Sequence, residues 1–370
     1  MTHSKTCPVI WALGRKGYLT QYPLMVAYNR NNIQPLVAVT SHTNLHLNEL
    51  IGKEQILQII EVPTNFLNGI KFIFSLARVR KHLIANLAAN ASLVHIIMMS
   101  PWDIFFVSCI KKAKLPLILT IHDATRHAGE KSWLLDKITY WLIGQADCIT
   151  ALSQFVVNEL IHDDSIKKPI KLVEDGWLTR SEEPLKPRAY PANKPLKLLF
   201  HGRIHAYKGL DILLDALLFL QNEGVNYSLT IAGDGDLTPY RNKLSTLSNI
   251  NINNSFLSDN ELLLILRNHN IAILPYTEAS QSGVAVDVHW AALPAVVTPV
   301  GALKTQFKNG LDAIVLEKVD SKMLAEAIKT LCTDAVCYET LSKGAFQAFQ
   351  PRASQAKEKW QLIYQNINAL

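Results

Sequence analysis

The sequence predicts an α/β protein of two doubly wound domains, and three observations carry that prediction. The chain has 370 residues, more than one hydrophobic core usually serves. Short apolar runs rich in β-branched residues alternate with longer helical patterns almost throughout, the habit of strands buried on both faces of a parallel sheet. One aperiodic stretch, Leu178–Pro195, carries four prolines and mixed charges, and after it the alternation starts again.

In chain order, Pro8–Leu13 reads as a first buried strand, followed by a glycine-containing turn and a helix from about Tyr18 to Asn29. Strands follow at Leu36–Thr40, Ile56–Ile60, Leu93–Ile97, Leu115–Thr120 and Cys148–Leu152. Beyond the proline-rich stretch, strands are expected at Lys197–His201, Ser228–Ala232, Asn251–Phe256, Ala272–Pro275, Ala295–Thr298 and Ala313–Leu316. Helices separate them near Gly209–Asn222, Pro239–Leu247, Asn260–Asn268, Val284–Ala292 and Ser321–Thr333, and Ala353–Asn366 closes the chain. Strand–helix alternation on this scale implies two Rossmann-like units, which bind ligands in crevices at strand C-terminal ends.

Composition narrows the function. Apolar residues make up 49% and charged residues 18%, the balance of a packed globular chain. The net charge is +6, and residues 1–176 hold 18 Lys and Arg against 13 Asp and Glu. That excess is too small and diffuse for nucleic acid. Five scattered cysteines (Cys7, Cys109, Cys148, Cys332, Cys337) form no CxxC pair or metal-ligand spacing and read as buried thiols in a reducing compartment. The first residues are interrupted too early for a signal peptide, and no apolar run approaches the roughly 20 residues of a spanning helix. A cytoplasmic protein, or one attached to the inner face of the membrane, is expected.

Two segments carry chemistry. In Phe200-His201-Gly202-Arg203-Ile204-His205-Ala206-Tyr207-Lys208-Gly209-Leu210 a strand ends, Gly202 opens the turn, and Arg203 and Lys208 precede a helix. Two cations beside a helix N-terminus suit a diphosphate, although a solvated turn with two surface cations has the same pattern. In Leu274-Pro275-Tyr276-Thr277-Glu278-Ala279-Ser280-Gln281-Ser282-Gly283-Val284 a strand runs into a polar turn and a second helix start. Backbone N–H groups of Ser282, Gly283 and Val284 would face an anion there. Glu278 suits sugar hydroxyls and Asp287 paired ribose hydroxyls, or both are capping or surface residues.

These segments resemble the family 4 (group 1) retaining glycosyltransferases. The resemblance rests on G-R-x-x-x-x-K-G-L-D at 202–211, on Ile231-Ala232-Gly233-Asp234-Gly235, on Leu-Pro-Tyr-x-Glu at 274–278 and on Leu-Pro-Ala-Val-Val-Thr-Pro-Val-Gly at 293–301. It implies the GT-B fold: two facing Rossmann-like domains, an interdomain cleft, and a C-terminal helix crossing back to the N-terminal domain. The implied division is an acceptor-side domain over 1–178, a linker at 179–195, a nucleotide-sugar-binding domain over 196–350 and the crossover helix at 351–370. The resemblance further implies that Arg203 and Lys208 bind the donor diphosphate, that Glu278 contacts the transferred sugar, that Ser282, Gly283 and Val284 support phosphates or sugar, and that Asp287 binds the ribose. Glu278 and Asp287 stand one residue further apart than the family's usual pair of glutamates. Asp replaces the second Glu, and Ala292 stands where the family has Gly.

In the N-terminal half the same resemblance gives Gly14 and Gly17, around Arg15-Lys16, to a loop facing donor phosphate and acceptor. A tight turn would explain them equally. It directs His122, in Thr120-Ile121-His122-Asp123, at the donor sugar, with His127 a weaker candidate nearby. A loop histidine with Asp123 as a helix cap is the plainer reading. Transfer with retention is implied, with front-face attack and the leaving phosphate taking the acceptor's proton. Neither a cofactor nor a metal is expected, since Arg203 and Lys208 would neutralise the nucleotide diphosphate as the bond breaks.

The expected partners are a nucleotide-sugar donor and a glycan or lipid-linked acceptor, in bacterial surface polysaccharide assembly. Along Lys71–Asn86, Lys71, Ser75, Arg78, His82 and Asn86 share one helical face, while Phe72, Ile73, Leu76, Val79, Leu83 and Ile84 share the other. Such a helix lies on an anionic membrane or packs its apolar side on the sheet. The competing functions are a catalytically idle GT-B partner subunit and a GT-B sugar-nucleotide epimerase. A dehydrogenase is disfavoured because no G-x-G-x-x-G follows the first strand.

Overall fold

A computed structural model of the chain describes residues 7–13, 36–39, 56–63, 66–124, 132–173, 183–192 and 195–367. The chain divides into two units, the first comprising Met1–Arg126, Glu130–Ser181 and Gln355–Leu370, the second His127–Gly129 and Glu182–Ser354. Each holds one parallel sheet among the described residues.

The first sheet has strands β1 (Pro8–Trp11), β2 (Leu36–Val39), β3 (Ile56–Ile59), β4 (Leu93–Ile96), β5 (Leu117–Ile121), β6 (Cys148–Ala151) and β7 (Ile170–Leu172), in the order β3-β2-β1-β4-β5-β6-β7. The short strand β7 has no counterpart in the sequence reading, and the helix expected at Tyr18–Asn29 lies outside the described residues. Side chains alternate along each strand. Val9 and Trp11 face a core shared with helices α1 (Phe66–Asn90), α2 (Val107–Lys112), α3 (Trp133–Gln145) and α4 (Gln154–Ile161). Ile10 and Ala12 face the other side, where Trp360, Ile363 and Tyr364 of the C-terminal helix pack.

Helix α1 departs from the expected amphipathic division. Phe72 and Leu83 are buried, but Ile73 is exposed, on the side assigned to packing. Asn86, expected on the polar face, is half-buried and donates to Leu57 O at 3.3 Å. Of the five cysteines, Cys109 and Cys148 are buried and the other three half-buried, and all are free thiols.

Two buried polar groups give this unit opposing pH dependences. Burial pushes the Asp103 carboxyl up to about 7, although Trp11 Nε1 donates to it at 2.8 Å and the Ser100 N–H at 2.7 Å. Burial holds the His95 imidazole down at about 3, where it joins Tyr364 Oη at 2.6 Å and Thr120 Oγ1 at 2.7 Å. For His95 the unfolded chain binds more protons between the folded value and about 6.5, so stability rises with pH across that window. For Asp103 the folded chain binds more protons between about 4 and the folded value, so stability falls as pH rises. Asp103→Asn therefore leaves a stability that rises by up to about 1.4 kcal/mol per pH unit between about 4 and 6.5. His95→Gln leaves one that falls. Thermal midpoints of the two variants against pH should diverge in opposite directions.

The second sheet has β8 (Leu196–His201), β9 (Tyr227–Ala232), β10 (Ile250–Asn253), β11 (Ile271–Leu274), β12 (Ala295–Val297) and β13 (Ala313–Val315), in the order β10-β9-β8-β11-β12-β13. Helices α5 (Leu210–Asn222), α6 (Arg241–Thr246), α7 (Asp259–Asn268), α8 (Gly283–Trp290), α9 (Leu303–Gln306) and α10 (Ser321–Thr333) connect or flank the strands. Ser258 and Glu261 form a capping box that starts α7. Asp320 caps α10 through the N–H groups of Lys322 and Met323. The last helix, α11, runs over Ala335–Asn366 and so starts well before the expected Ala353; Pro351 lies inside it. The chain changes units between Ser354 and Gln355.

Residues 183–192, within the stretch read as a linker, belong to the second unit. Arg188 fixes them. Its guanidinium donates to Leu266 O at 2.8 Å, Arg267 O at 3.2 Å and His269 O at 2.6 Å, at the C-terminal end of α7. Its Nε also donates to Ala291 O, just past α8, at 3.0 Å. Carbonyls at helix ends lack intrahelical donors, and a cation there also meets the negative end of the dipole. The planar fork serves several of them at once, which an ammonium does not reproduce. Arg188→Lys should cost about 2–3 kcal/mol of stability in chemical denaturation. A cost under about 0.5 kcal/mol would show that water replaces the clamp.

Candidate active site

The second sheet turns round between β8 and β11. From β8 the chain winds outward through β9 and β10, then returns to place β11 on the other side of β8. Loops leaving adjacent strands at such a switch point open a crevice at the carboxyl edge. The two loops here are Gly202–Gly209 and Pro275–Ser282, the segments that carry the residues singled out in the sequence.

Glycine holds them together. Gly202 has φ +106, and a Cβ there would stand 3.2 Å from Val284 Cγ2 at the start of α8. Gly209 has φ +70, and its Cβ would lie 1.9 Å from Pro275 O. Neither place admits an ordinary side chain without movement. The Ala-Gly-Asp-Gly motif meets the same constraint, because a Cβ on Gly233 would come 2.0 Å from Gly202 O and one on Gly235 2.4 Å from Ile204 O. Gly301 (φ +46) passes beside Ala279 O, which accepts the Ala302 N–H at 2.7 Å. Ala292 takes φ +49, so the position where the resemblance expects glycine is one with left-handed backbone.

Lys208 is 8% exposed despite its charge. Its Nζ stands 3.9 Å from the centre of the Tyr276 ring and 5.4 Å from that of Tyr207, a cation over two aromatic faces. The Thr277 N–H donates to Tyr207 O at 2.8 Å and ties the two loops. Tyr276 is buried, which pushes its phenol up. Its oxygen accepts from Ser282 Oγ at 3.5 Å, and its carbonyl accepts from Thr298 Oγ1 at 2.6 Å. Arg203, by contrast, is exposed and makes no ion pair or hydrogen bond through its side chain among the described residues.

The structure corrects one donor. The Ser282 N–H already donates to Gln306 Oε1 at 3.2 Å, and Gln306 Nε2 returns a bond to Ser282 O at 3.1 Å. The N–H groups at the start of α8 that remain for an anion are those of Gly283 and Val284, which as first-turn residues have no intrahelical acceptor. Glu278 is exposed on the same loop. Asp287, one turn into α8, lies 3.2 Å through Oδ2 from Nε2 of His201, the last residue of β8. Asp287 therefore stands beside the Gly202-Arg203 turn.

Sequence reasoning missed His201, Tyr276 and Gln306. His201, at the end of β8, and Tyr276, just past β11, sit inside the quoted motifs, where nothing in their spacing singles them out. Gln306 is 24 residues from Ser282, and nothing in its neighbourhood signals the contact.

In the first unit His122 follows β5, and its Nε2 lies 2.7 Å from Ile97 O after β4. A carbonyl only accepts, so Nε2 carries the proton and Nδ1 is the ring atom left for another partner. Gly14, Gly17 and His127 lie outside the described residues. Among the described residues no three His, Cys, Asp or Glu side chains gather to hold a metal ion.

Two parallel sheets, one per unit, and the structural match that follows give the chain the GT-B fold. The structure matches that of HepE from Anabaena, solved in complex with UDP, with a TM-score of 0.75 over 99% of this chain and 100% of that one at 16% identity. Residues 195–334 match the family described as glycosyl transferases group 1, and residues 24–176 match glycosyltransferase family 4. The chain belongs to the group 1, family 4 glycosyltransferases. Its relatives include the glycogen synthase of Mycobacterium tuberculosis, 25% identical over 244 residues, which cover 63% of this chain and 58% of that protein. An uncharacterized glycosyltransferase of Methanocaldococcus jannaschii is 23% identical over 279 residues, 74% of each. The chain thus spans somewhat over half the length of the glycogen synthase it matches.

Proposed function

We propose that the chain is a retaining glycosyltransferase that moves a sugar from a nucleoside-diphosphate sugar to a glycan or lipid-linked acceptor in the assembly of a cell-surface polysaccharide, working at the inner face of the cytoplasmic membrane. The observation that carries this reading is the pairing of exposed Arg203 and buried Lys208 on a loop braced against the start of α8. Two cations and free helix N–H groups at one strand edge suit a diphosphate. The UDP held by HepE supports the nucleotide part of the reading.

In this reading Arg203, Lys208 and the N–H groups of Gly283 and Val284 take the diphosphate charge as the bond from anomeric carbon to phosphate oxygen breaks. The acceptor oxygen attacks from the same face, and its proton passes to the departing phosphate oxygen. The glycosidic bond forms without a covalent enzyme intermediate. Glu278 holds sugar hydroxyls, Asp287 the ribose diol, and His122 offers Nδ1 to a sugar hydroxyl.

A thermal-shift panel of UDP, GDP, ADP and their sugar conjugates, run on wild type and Arg203→Ala, tests it. One nucleotide at 100 times its Kd should add about 2.7 kcal/mol of apparent stability, and Arg203→Ala should abolish most of that. Turnover of the same conjugate to free nucleotide and glycosylated acceptor then separates a transferase from an idle subunit. No shift with any nucleotide from folded protein would sink the proposal.

A further inference from the structure

The outer surface of the first unit's helical layer is occupied neither by the proposed chemistry nor by the core. Helices α1, α2 and α3 pack their inner sides into one cluster on one face of the sheet, so their outer sides look the same way. At 100° per residue Phe74 lies about 180° round α1 from buried Leu83. It is 84% exposed, with Ile73 beside it at 69%. On α3, Trp133 is 71% exposed, and Trp141 and Leu134 are exposed with it. Exposed Ile104 lies between them, on the 3-10 turn Pro101–Phe105 that α3 packs against and whose Trp102 and Phe105 meet Phe72 of α1 edge to face. A soluble surface seldom gathers aromatic side chains of this size without a partner.

The charge around this patch calls for an anionic partner. No carboxylate occurs from Val62 through Trp102, while Lys71, Arg78 and Lys81 surround Phe74 on the outer side of α1. Lys111 and Lys112 are exposed at the end of α2. On α3, Lys137 lies 5.0 Å over the Trp133 ring. The nearby carboxylate of Asp147 pairs with Lys111 at 3.2 Å. Lysines interleaved with tryptophan and phenylalanine match the layered chemistry of a bilayer surface, with anionic headgroups outside and acyl chains beneath.

From this juxtaposition we infer that the outer face of α1, α2 and α3 is a docking surface for an anionic lipid bilayer, with Phe74 and Trp133 entering the headgroup boundary and Lys71, Arg78 and Lys81 contacting headgroup phosphates. No helix among the described residues is long and apolar enough to cross a membrane, so attachment here would be peripheral. The inference deepens the lipid-linked reading of the acceptor and rests on it for the choice of a bilayer as partner.

The test is sedimentation of the full chain with phosphatidylcholine vesicles, with and without phosphatidylglycerol, at low and high salt. The expected result is partition into the phosphatidylglycerol vesicles alone, weakened by salt. Each exposed cation contributes about fivefold, so replacing Lys71, Arg78 and Lys81 together by Ala should weaken partition about a hundredfold. Phe74→Ser with Trp133→Ser should weaken it at least tenfold. The thermal shift with whichever nucleotide the UDP, GDP and ADP panel selects, read on every variant, reports folding and the donor site separately. Loss of that shift in wild type with vesicle binding intact would count against the transferase reading alone. Equal partition into both vesicle types, no partition by folded wild type, or a solution dimer that Phe74→Ser dissociates would each overturn the bilayer inference.

Discussion

Lys208→Ala should lower kcat/KM for the donor by about 10³-fold, with most of the loss in kcat. The charge it removes is already desolvated, since Lys208 is almost buried and its Nζ rests over the Tyr276 ring. A preorganised donor in a dry site is worth far more against developing charge than in water, and removing one costs about 10²–10³ even when it is neutral. Alanine also leaves a space between two tyrosine rings. Lys208→Met keeps the stem and removes only the charge, so it separates the two effects. Both variants should show the same loss of turnover. If Lys208→Met stays within tenfold of wild type, the ammonium acts on packing and not on the diphosphate.

The second large effect is structural. Gly209→Ala should destabilise the protein by about 3–5 kcal/mol and abolish nucleotide binding in whatever remains folded. Its Cβ would meet Pro275 O at 1.9 Å, a backbone atom with no rotamer to yield. Gly224 supplies the control. It has the same φ of +70 with nothing within 4 Å of its Cβ. Gly224→Ala should therefore cost only left-handed strain, about 1–2 kcal/mol. The difference between the two denaturation curves measures the clash that holds the β8 loop against the β11 loop. Equal costs would mean that the two loops separate freely.

Local features of the fold and site were readable from sequence. Apart from β7, the strands of both sheets stand within a few residues of their expected positions because β-branched runs bounded by turn residues act over short distances. The glycines of Gly202–Gly209 and Gly233–Gly235 were recognisable as motifs, and the structure supplies the reason: a Cβ on Gly209, Gly233 or Gly235 would stand 1.9, 2.0 or 2.4 Å from a backbone oxygen. What joins distant segments was not legible. His201 meets Asp287 across 86 residues, and Arg188 reaches Ala291 across 103. No periodicity links such partners. On α1 both sides of the helix carry apolar residues, so the wheel alone could not tell that Ile73 faces outward. The early start of α11 at Ala335 was not read either, although Pro351 lies inside the helix.

The Arg188 clamp determines where the chain can be divided. A fragment beginning at Leu196 would contain every strand of the second sheet, yet leave the ends of α7 and α8 without their shared donor. Ser342 Oγ would also lose the Arg188 N–H that it accepts at 2.7 Å. One beginning at Glu182 keeps these bonds. Limited proteolysis of the intact protein should accordingly spare the Arg188 peptide bond, although the surrounding prolines and charges resemble an open hinge. The stretch that looks most like a tether is, in mechanical terms, the strap that closes the second unit.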